Sequence, residues 1–334
     1  MIPTQTLQRF IHSKQRQHSA STGELTDLLT AISLGVKMIS RLVSTAGLKG
    51  LYGYSGVTNV QGEAQQILDQ EADEILVQLL GSSGHFGSLV SEERDTVISS
   101  DQEAQLGLGR KYVVAFDPLD GSSNLGSNIP VGTIFCIFEK PNHGRKASNQ
   151  DFLQSGKNIV AAGYAVYGAK TSFIYSSGDG VHGFIFDPSL GEFLLTEPEL
   201  RMPERGSLYS VNEGNYHRWD KRMQRFVDTL KLTDKQAGTP YSSRYVGSLV
   251  ADFDRNLKKG GVFLYPADNK NEQGKLRLLY ECMPLAFIAE QAGGRAIDGQ
   301  RNILDIVPQN IHERSPLIIG SKYEVDWYQS FKAD

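Results

Sequence analysis

Apolar residues recur at helical spacing from Leu25 onward, through Leu28, Leu29, Ile32, Val36 and Ile39. This spacing predicts an amphipathic helix that buries one face. Ser21 and Glu24 stand just ahead of it as an S-x-x-E capping box. The following stretch, AGLKGLYGYSGVTNVQG, carries Gly47, Gly50, Gly53, Gly56 and Gly62 and breaks any regular pattern. A lid over a site and a slack connection both fit it. A second helix is predicted from about Glu63 to Leu80, with Ala64, Ile67, Leu68, Ala72, Ile75, Leu76 and Leu79 on its buried side. Two short apolar, β-branched runs follow, and each ends in carboxylates. Ser88 to Ser91 leads into Glu92-Glu93, and Tyr112 to Phe116 leads into Asp117. Both read as strands.

From Gly132 to about Ser210 the pattern is β-rich, with strands predicted at Thr133–Phe138, Ile159–Tyr167, Ser172–Tyr175, Gly183–Phe186 and Glu192–Thr196. The polar stretch from Glu139 to Gln150 reads as an exposed loop. Prolines and charges gather around Glu197–Arg205, which predicts a boundary between a first domain, 1–199, and a second, 200–334. Helices are then predicted at Trp219–Lys231, Ser243–Lys259 and Pro284–Gln291, with strands at Val262–Tyr265 and Leu317–Ile319. Gly260-Gly261 and Gly293-Gly294 read as helix stops. The architecture is mixed α and β, in two unequal halves.

Composition changes little in this picture but narrows the partners. The 334 residues, 40% hydrophobic and 22% charged, are those of an ordinary globular protein with room for a sizeable core. Net charge is −4, and no Lys/Arg run is long enough to track a nucleic-acid backbone. No apolar stretch approaches the ~20 residues of a membrane span, and the polar start, MIPTQTLQRFIHSKQRQHSAS, lacks the core of a signal peptide. Cys136 and Cys282 both sit in apolar runs, as buried thiols of a reducing compartment do. The expectation is a cytoplasmic protein with a small-molecule partner, no nucleic acid and no membrane. Several motifs are excluded: the seven histidines lack ligand spacing, Gly156-Lys157 and Gly274-Lys275 lack the Ser/Thr of a P-loop, and no G-x-S-x-G appears.

The candidate chemistry lies in Asp117-Pro118-Leu119-Asp120-Gly121-Ser122-Ser123. A strand delivers Asp117, Pro118 is expected to stop the ladder, and the chain turns through Leu119 to Asp120. Gly121 allows close backbone approach, and Ser122 and Ser123 suit the N-cap of a following turn. Two carboxylates around a turn suit a hard divalent cation, and the N–H groups after them suit a phosphate. An acidic surface turn would have the same composition. Glu92-Glu93 adds a pair that repels itself unless a cation or water intervenes, and Arg94-Asp95 signals that its strand has ended. Asp69 lies beside the buried face of the second helix and Glu63 at its start; both are equally compatible with solvated helix charges. Glu281 stands inside Leu278-Leu279-Tyr280-Glu281-Cys282-Met283-Pro284-Leu285, where a buried carboxylate needs a partner.

The ordered set Asp69, Ser91-Glu92-Glu93, DPLDGSS and a late helix opening on a carboxylate resembles the lithium-sensitive, magnesium-dependent phosphatase superfamily. Within it the sequence is similar to class I fructose-1,6-bisphosphatases over nearly its whole length. The stretches that carry this are STGELT at Ser21, GE…LD around Glu63–Asp69, VSEE, DPLDGSSN, VGTIF, AAGYAVYG, VNEGNY at Val211, SRYVGSLVADFDRNL at Ser243, GKLRLLYEC at Gly274 and AEQAGG at Ala289. Monophosphatases of the superfamily carry Trp-Asp where this chain has Tyr280-Glu281.

The resemblance implies a layered α-β-α-β-α sandwich of two mixed sheets and Mg2+-dependent hydrolysis of the 1-phosphate of fructose 1,6-bisphosphate. Sedoheptulose 1,7-bisphosphate, instead or as well, is the near alternative, and a silent metal-binding regulatory homologue the distant one. Glu92, Glu93, Asp117, Asp120, Glu281 and the Leu119 carbonyl would hold roughly two or three Mg2+ ions, with Mn2+ or Zn2+ as substitutes. Glu63 would take the place of an aspartate there. Asp69 and Glu93 would orient and deprotonate the attacking water. Asp120, Gly121, Ser122 and Ser123 would contact the scissile phosphate, with Arg277 close by. Asn212, Tyr216, Tyr245, Tyr265 and Lys275 would hold the sugar and its 6-phosphate. Arg244 would reach a neighbouring subunit's site in a homotetramer. The first domain would then carry the metals and an AMP-type allosteric site, and the second the sugar phosphate. Thr22, Gly23, Glu24, Leu25, Thr26, Lys111 and Tyr112 fit the AMP motif, but Glu139 stands where family members place an arginine. A carboxylate there repels phosphate, although Lys140 is adjacent.

Overall fold

The computed structural model describes residues 4–16, 23–51, 54–58, 64–99, 110–143, 147–234 and 238–332. Alternation along its longest strands explains the layering. In the strand Tyr112–Asp120, Tyr112, Val114 and Phe116 enter one core while Val113 and Ala115 enter another. Successive strand residues face opposite ways, so a strand apolar at every position must be covered on both faces.

Strands are numbered β1 to β17 along the chain. The hairpin pairs β1 (Tyr54–Thr58) with β2 (Ala64–Gln66). The large sheet contains β3 (Ser88–Ser91), β4 (Ile98–Ser99), β5 (Tyr112–Asp120), β6 (Val131–Glu139), β7 (Ile159–Tyr167), β8 (Thr171–Ser176), β9 (Val181–Asp187) and β10 (Glu192–Leu200). Its order is β10-β9-β8-β7-β6-β5-β3-β4, with β3 and β5 parallel and the other pairs antiparallel. The smaller sheet contains β11 (Leu208–Ser210), β12 (Ser242–Ser243), β13 (Val262–Tyr265), β15 (Arg295–Ile297) and β17 (Leu317–Gly320), in the order β12-β11-β13-β17-β15. A short ladder of β14 (Leu276–Arg277) with β16 (Arg314–Ser315) lies apart from it.

Three cores separate five layers. Helices α1 (Leu7–Gln15), α2 (Glu24–Thr45) and α3 (Ile67–Ser83) cover the outer face of the large sheet. Between the sheets lie α5 (Leu249–Lys259) and α6 (Met283–Gln291). Sandwiched in this way, α6 buries Met283 through Ala289 without a break. On the far side α4 (Lys221–Lys231) and α7 (Lys322–Ser330) close a third core through Met223, Phe226, Leu230, Val325 and Tyr328. The expected α-β-α-β-α sandwich of mixed sheets is what forms. By length and composition α2 with its following turn is apolar enough to cross a bilayer. Its Leu28, Leu29, Ile32, Val36 and Ile39 are instead buried in the first core.

Local departures from the sequence expectation have physical causes. The polar terminus folds as α1, capped by Thr6 and anchored by Leu7, Phe10 and Ile11. Gly23, at φ +88°, occupies the N-cap of α2, and Ser21 lies outside the described residues. The second helix begins at Ile67, because Ala64 to Gln66 pair with β1 before Gln66 caps it. Pro118 does not end its strand: β5 runs to Asp120 with an irregularity in its pairing between Asp117 and Asp120. Gly121, not a serine, caps the turn that follows. The helix expected from Ser243 starts at Leu249, since Ser242 and Ser243 pair with β11. Lys140 and Asp151, in or beside the expected exposed loop, are buried.

Candidate active site

Tertiary pairing gathers the acidic residues. β3 runs parallel to β5 with Ser91 opposite Phe116, and the Glu92 N–H donates to the Phe116 carbonyl at 3.1 Å. Glu92 therefore leaves its strand beside Asp117. The irregularity in β5 turns Asp117 and Asp120 inward together, helped by a Leu119 N–H donating to Asp117 Oδ1 at 2.9 Å. Thr133 Oγ1 donates to the Pro118 carbonyl at 2.9 Å and holds the distorted segment. Gly121, at φ +78°, reverses the chain where a Cβ would stand 2.9 Å from Ser248 Oγ. Asp69, in the first turn of α3, accepts the Gln66 N–H at 3.0 Å.

Glu281 comes from the far half of the chain. It lies in a π-helical turn, Leu278–Cys282, directly before α6, a local widening often found at functional sites. Its carboxylate accepts the Arg277 N–H at 2.5 Å, and Arg277 Nη2 lies 3.2 Å from Glu92 Oε1. Asp117, Asp120 and Glu281 each offer an oxygen within 4.8 Å of the other two.

Such a cluster resists ionisation on its own. Burial first, then the charges of Glu92, Asp120 and Glu281, push Asp117 well above the ordinary carboxylate range. Glu281 is pushed well up by burial and Glu92, and Asp120 rises to about 7, chiefly through burial. Asp69 rises to about 6 for the same first reason, opposed by a hydrogen bond from Ser122. Buried, mutually repelling oxygen donors are satisfied by a hard divalent cation, so the residues fit the metal that this arrangement implies.

A cavity of about 490 Å3 opens over the cluster. Of the residues expected from sequence, it brings together Asp69, Glu92, Glu93, Asp117, Leu119, Asp120, Gly121, Ser122, Ser123, Tyr245, Tyr265, Lys275, Arg277 and Glu281. Tyr265 and Lys275 also line an adjoining cavity of about 220 Å3 that holds Asn212. Tyr216 lines neither; its hydroxyl donates to Asp228 at 2.5 Å. Arg244 is exposed beside the loop and donates to the Ser243 carbonyl. Glu63 and Thr22 lie outside the described residues. Sequence reasoning missed Gln66, Arg218, Lys270 and the Gly247–Leu249 segment. Of these the Gly247–Leu249 segment left a signal, since it lies inside the quoted SRYVGSLVADFDRNL stretch.

A separate cavity of about 270 Å3 lies near the N-terminus of α2. Leu25, Thr26, Lys111 and Tyr112 line it, joined by Lys14 and Gln15 of the unforeseen α1. Gly23 and Glu24 are not among the lining residues; Glu24 faces Arg110 at 3.7 Å. Glu139 stands 3.8 Å from Lys111 Nζ, while Lys140 is turned into the interior.

A layered sandwich whose buried carboxylate cage adjoins the Gly121–Ser123 turn defines the chain as a hydrolase of the phosphatase class. Family models described as fructose-1-6-bisphosphatase, N-terminal domain, and fructose-1-6-bisphosphatase, C-terminal domain, match residues 5–198 and 202–333. The chain belongs to the fructose-1,6-bisphosphatase family. Among solved structures it is similar to Leishmania major fructose-1,6-bisphosphatase in its holo form, at 40% identity and a TM-score of 0.92, with 99% of each chain covered. The apo and T-state forms of that enzyme match at 38% identity over 99% of each chain, with TM-scores of 0.87 and 0.86.

Proposed function

We propose that the chain hydrolyses the 1-phosphate of fructose 1,6-bisphosphate, releasing fructose 6-phosphate and phosphate, with Mg2+ as its metal. The observation that carries this is the buried Asp117–Asp120–Glu281 cluster opening into one cavity with Gly121, Ser122 and Lys275. Asp117, Asp120 and Glu281, with Glu92, Glu93 and the Leu119 carbonyl, would hold about two or three Mg2+ ions. When bound, the metal supplies neutralising charge for the phosphoryl oxygens and makes water more acidic. The backbone around Gly121 and Ser122 holds the scissile phosphate. Asp69 and Glu93 line the same cavity and take the proton of the attacking water; Asp69, raised to about 6, is near the range of a general base. Arg277, 3.2 Å from Glu92 and lining the same cavity, would meet the phosphate charge. Tyr245, Tyr265, Lys275 and Asn212 position the sugar, so residues 1–199 would supply most of the metal end and residues 200–334 the sugar end together with Glu281.

A seven-carbon bisphosphate is the second reading. The adjoining cavity that holds Asn212 and Lys275 is also lined by Arg218 and Lys270, with Asp268 opposing them, and would take a distal phosphate. The test is phosphate release from fructose 1,6- and sedoheptulose 1,7-bisphosphate with Mg2+, by wild type and Glu93→Gln. Release from the first sugar, and a fall of at least ~100-fold in the variant, are expected. No release by wild type would overturn the reading, and full activity in the variant would remove Glu93 from water activation. We place the protein in the cytoplasm, in keeping with the free, buried Cys136 and Cys282. An allosteric role for the Lys111–Tyr112 cavity is part of the same reading; Glu139 at its edge works against AMP.

A further inference from the structure

The loop from Arg244 to Gly247 carries Tyr245 into the main cavity and belongs to no helix or strand. It is held from behind by side chains of α5. Asp252, in the first turn of α5, is fully buried and accepts the Val246 N–H at 3.0 Å and the Gly247 N–H at 3.1 Å. Its charge is met by Arg255 Nη2 at 2.7 Å. The same nitrogen donates to the Arg244 carbonyl at 2.6 Å and to Ser210 Oγ at 2.5 Å, so the pair grips both ends of the loop and ties it to β11.

The loop is also tied to the phosphate end of the site. Asn124, in the turn after Gly121, donates to the Gly247 carbonyl at 2.9 Å. The Val250 N–H, at the start of α5, donates to Asp120 Oδ2 at 2.8 Å. Gly247 sits at φ +84°, which a glycine adopts readily and a residue with a Cβ does not, so the loop can turn there. A fully buried carboxylate spent on two loop amides is a costly feature unless the loop's position matters.

We propose that Asp252 and Arg255 form a positioning pair that holds the Arg244–Gly247 loop against the sugar end of the substrate and so sets affinity for it. The inference rests on the sugar-bisphosphate reading above. Neither residue lines the cavity, so the pair acts through Tyr245 and the loop backbone. Asp252→Asn keeps the shape but removes the charge, and its NH2 group must face another donor, either Arg255 or the loop N–H groups.

The experiment is steady-state phosphate release from fructose 1,6-bisphosphate at saturating Mg2+, with wild type, Asp252→Asn, Tyr245→Ala and the double variant. KM is expected to rise about tenfold in Asp252→Asn, the loss of one charged hydrogen-bond set, while kcat stays within about threefold. In the Tyr245→Ala background the same substitution is expected to change KM little, because the loop then has no ring to aim. An unchanged KM, or the same rise in both backgrounds, would overturn the proposal. Arg255→Gln, at a partly exposed side chain, is the second variant should Asp252→Asn fail to fold; its KM is expected to rise severalfold, and a wild-type KM sinks the pair. Inactive wild type would remove the substrate reading and this inference together, whereas active wild type with unmoved variants removes only the inference.

Discussion

Glu281 illustrates how one residue can be stabilised only by what is brought to it. It is buried, and burial with the repelling charges of Glu92 and Asp120 outweighs the Arg277 charge and N–H, which favour its ionised form. The sign of the resulting pH dependence follows directly. Asp120, raised from 3.8 to about 7, and Asp69, raised to about 6, bind protons more tightly in the folded than in the unfolded chain. Stability of the metal-free protein therefore falls as pH rises from about 4 to about 7. Thermal melts should show this fall, and Mg2+ should raise the melting temperature more at about pH 8 than at about pH 5. At a hundredfold excess over Kd the gain is about 2.7 kcal/mol. In Glu281→Gln the metal-free fall with pH should be shallower and the Mg2+ response largely lost, with activity reduced on the order of 100-fold or more. An undiminished Mg2+ shift in that variant would show that Glu281 is not a ligand.

At the scale of elements, the distortion in β5 does what the acidic residues alone cannot. A regular strand would send Asp117 and Asp120 to opposite faces; the irregular pairing, with Asp120 opposite Gly132, brings both into one cavity. Gly132 permits this by its lack of a side chain. A Cβ there would stand 2.1 Å from the Ala165 carbonyl and 2.8 Å from Val250 Cγ1. Gly132→Ala is thus expected to push β6 from β7 and from α5, costing about 1–3 kcal/mol. Because Val250 also donates to Asp120, activity should fall with stability. A variant with wild-type melting temperature and full turnover would show that the sheet absorbs the methyl without moving the site. The glycine was visible in VGTIF; its reason was not, since it depends on a strand and a helix far away in sequence.

Across the whole molecule, the site lies where residues from both sheets meet. Asp69, Glu92 and Asp117 come from the first half of the chain, Tyr245, Lys275 and Glu281 from the second. No single layer can therefore carry the chemistry. Outside, α2 leaves Leu34 and Met38 exposed one turn apart, and Leu48 just beyond the helix is 90% exposed. Apolar surface of this kind on the outer layer fits contact between copies, and the exposed Arg244 fits a residue that serves a neighbour's site. The family resemblance implies a homotetramer, which light scattering on wild type would test; Leu34→Glu with Met38→Glu is then expected to lower the particle mass. A monomeric wild type would overturn that expectation.

The sequence by itself determined the alternation that makes both faces of the large sheet apolar, and hence its burial between helices. It also determined the carboxylates, the DPLDGSS turn and Glu281 as a charge stranded among apolar neighbours. These are legible because periodicity, burial and local composition are properties of short stretches. Tertiary structure alone decided that β5 continues through Pro118, that Ala64–Gln66 pair with β1 rather than begin a helix, and that α1 packs beside the Lys111–Tyr112 cavity. It also decided that Asp252, an unremarked helix carboxylate in SLVADFDRNL, faces inward to hold the Tyr245 loop. Docking of α1 depends on β10, far along the chain. The others depend on nearer partners, β6 for β5, β1 for Ala64–Gln66 and Val246 and Gly247 for Asp252, whose pairing is set by three-dimensional geometry that local pattern does not encode.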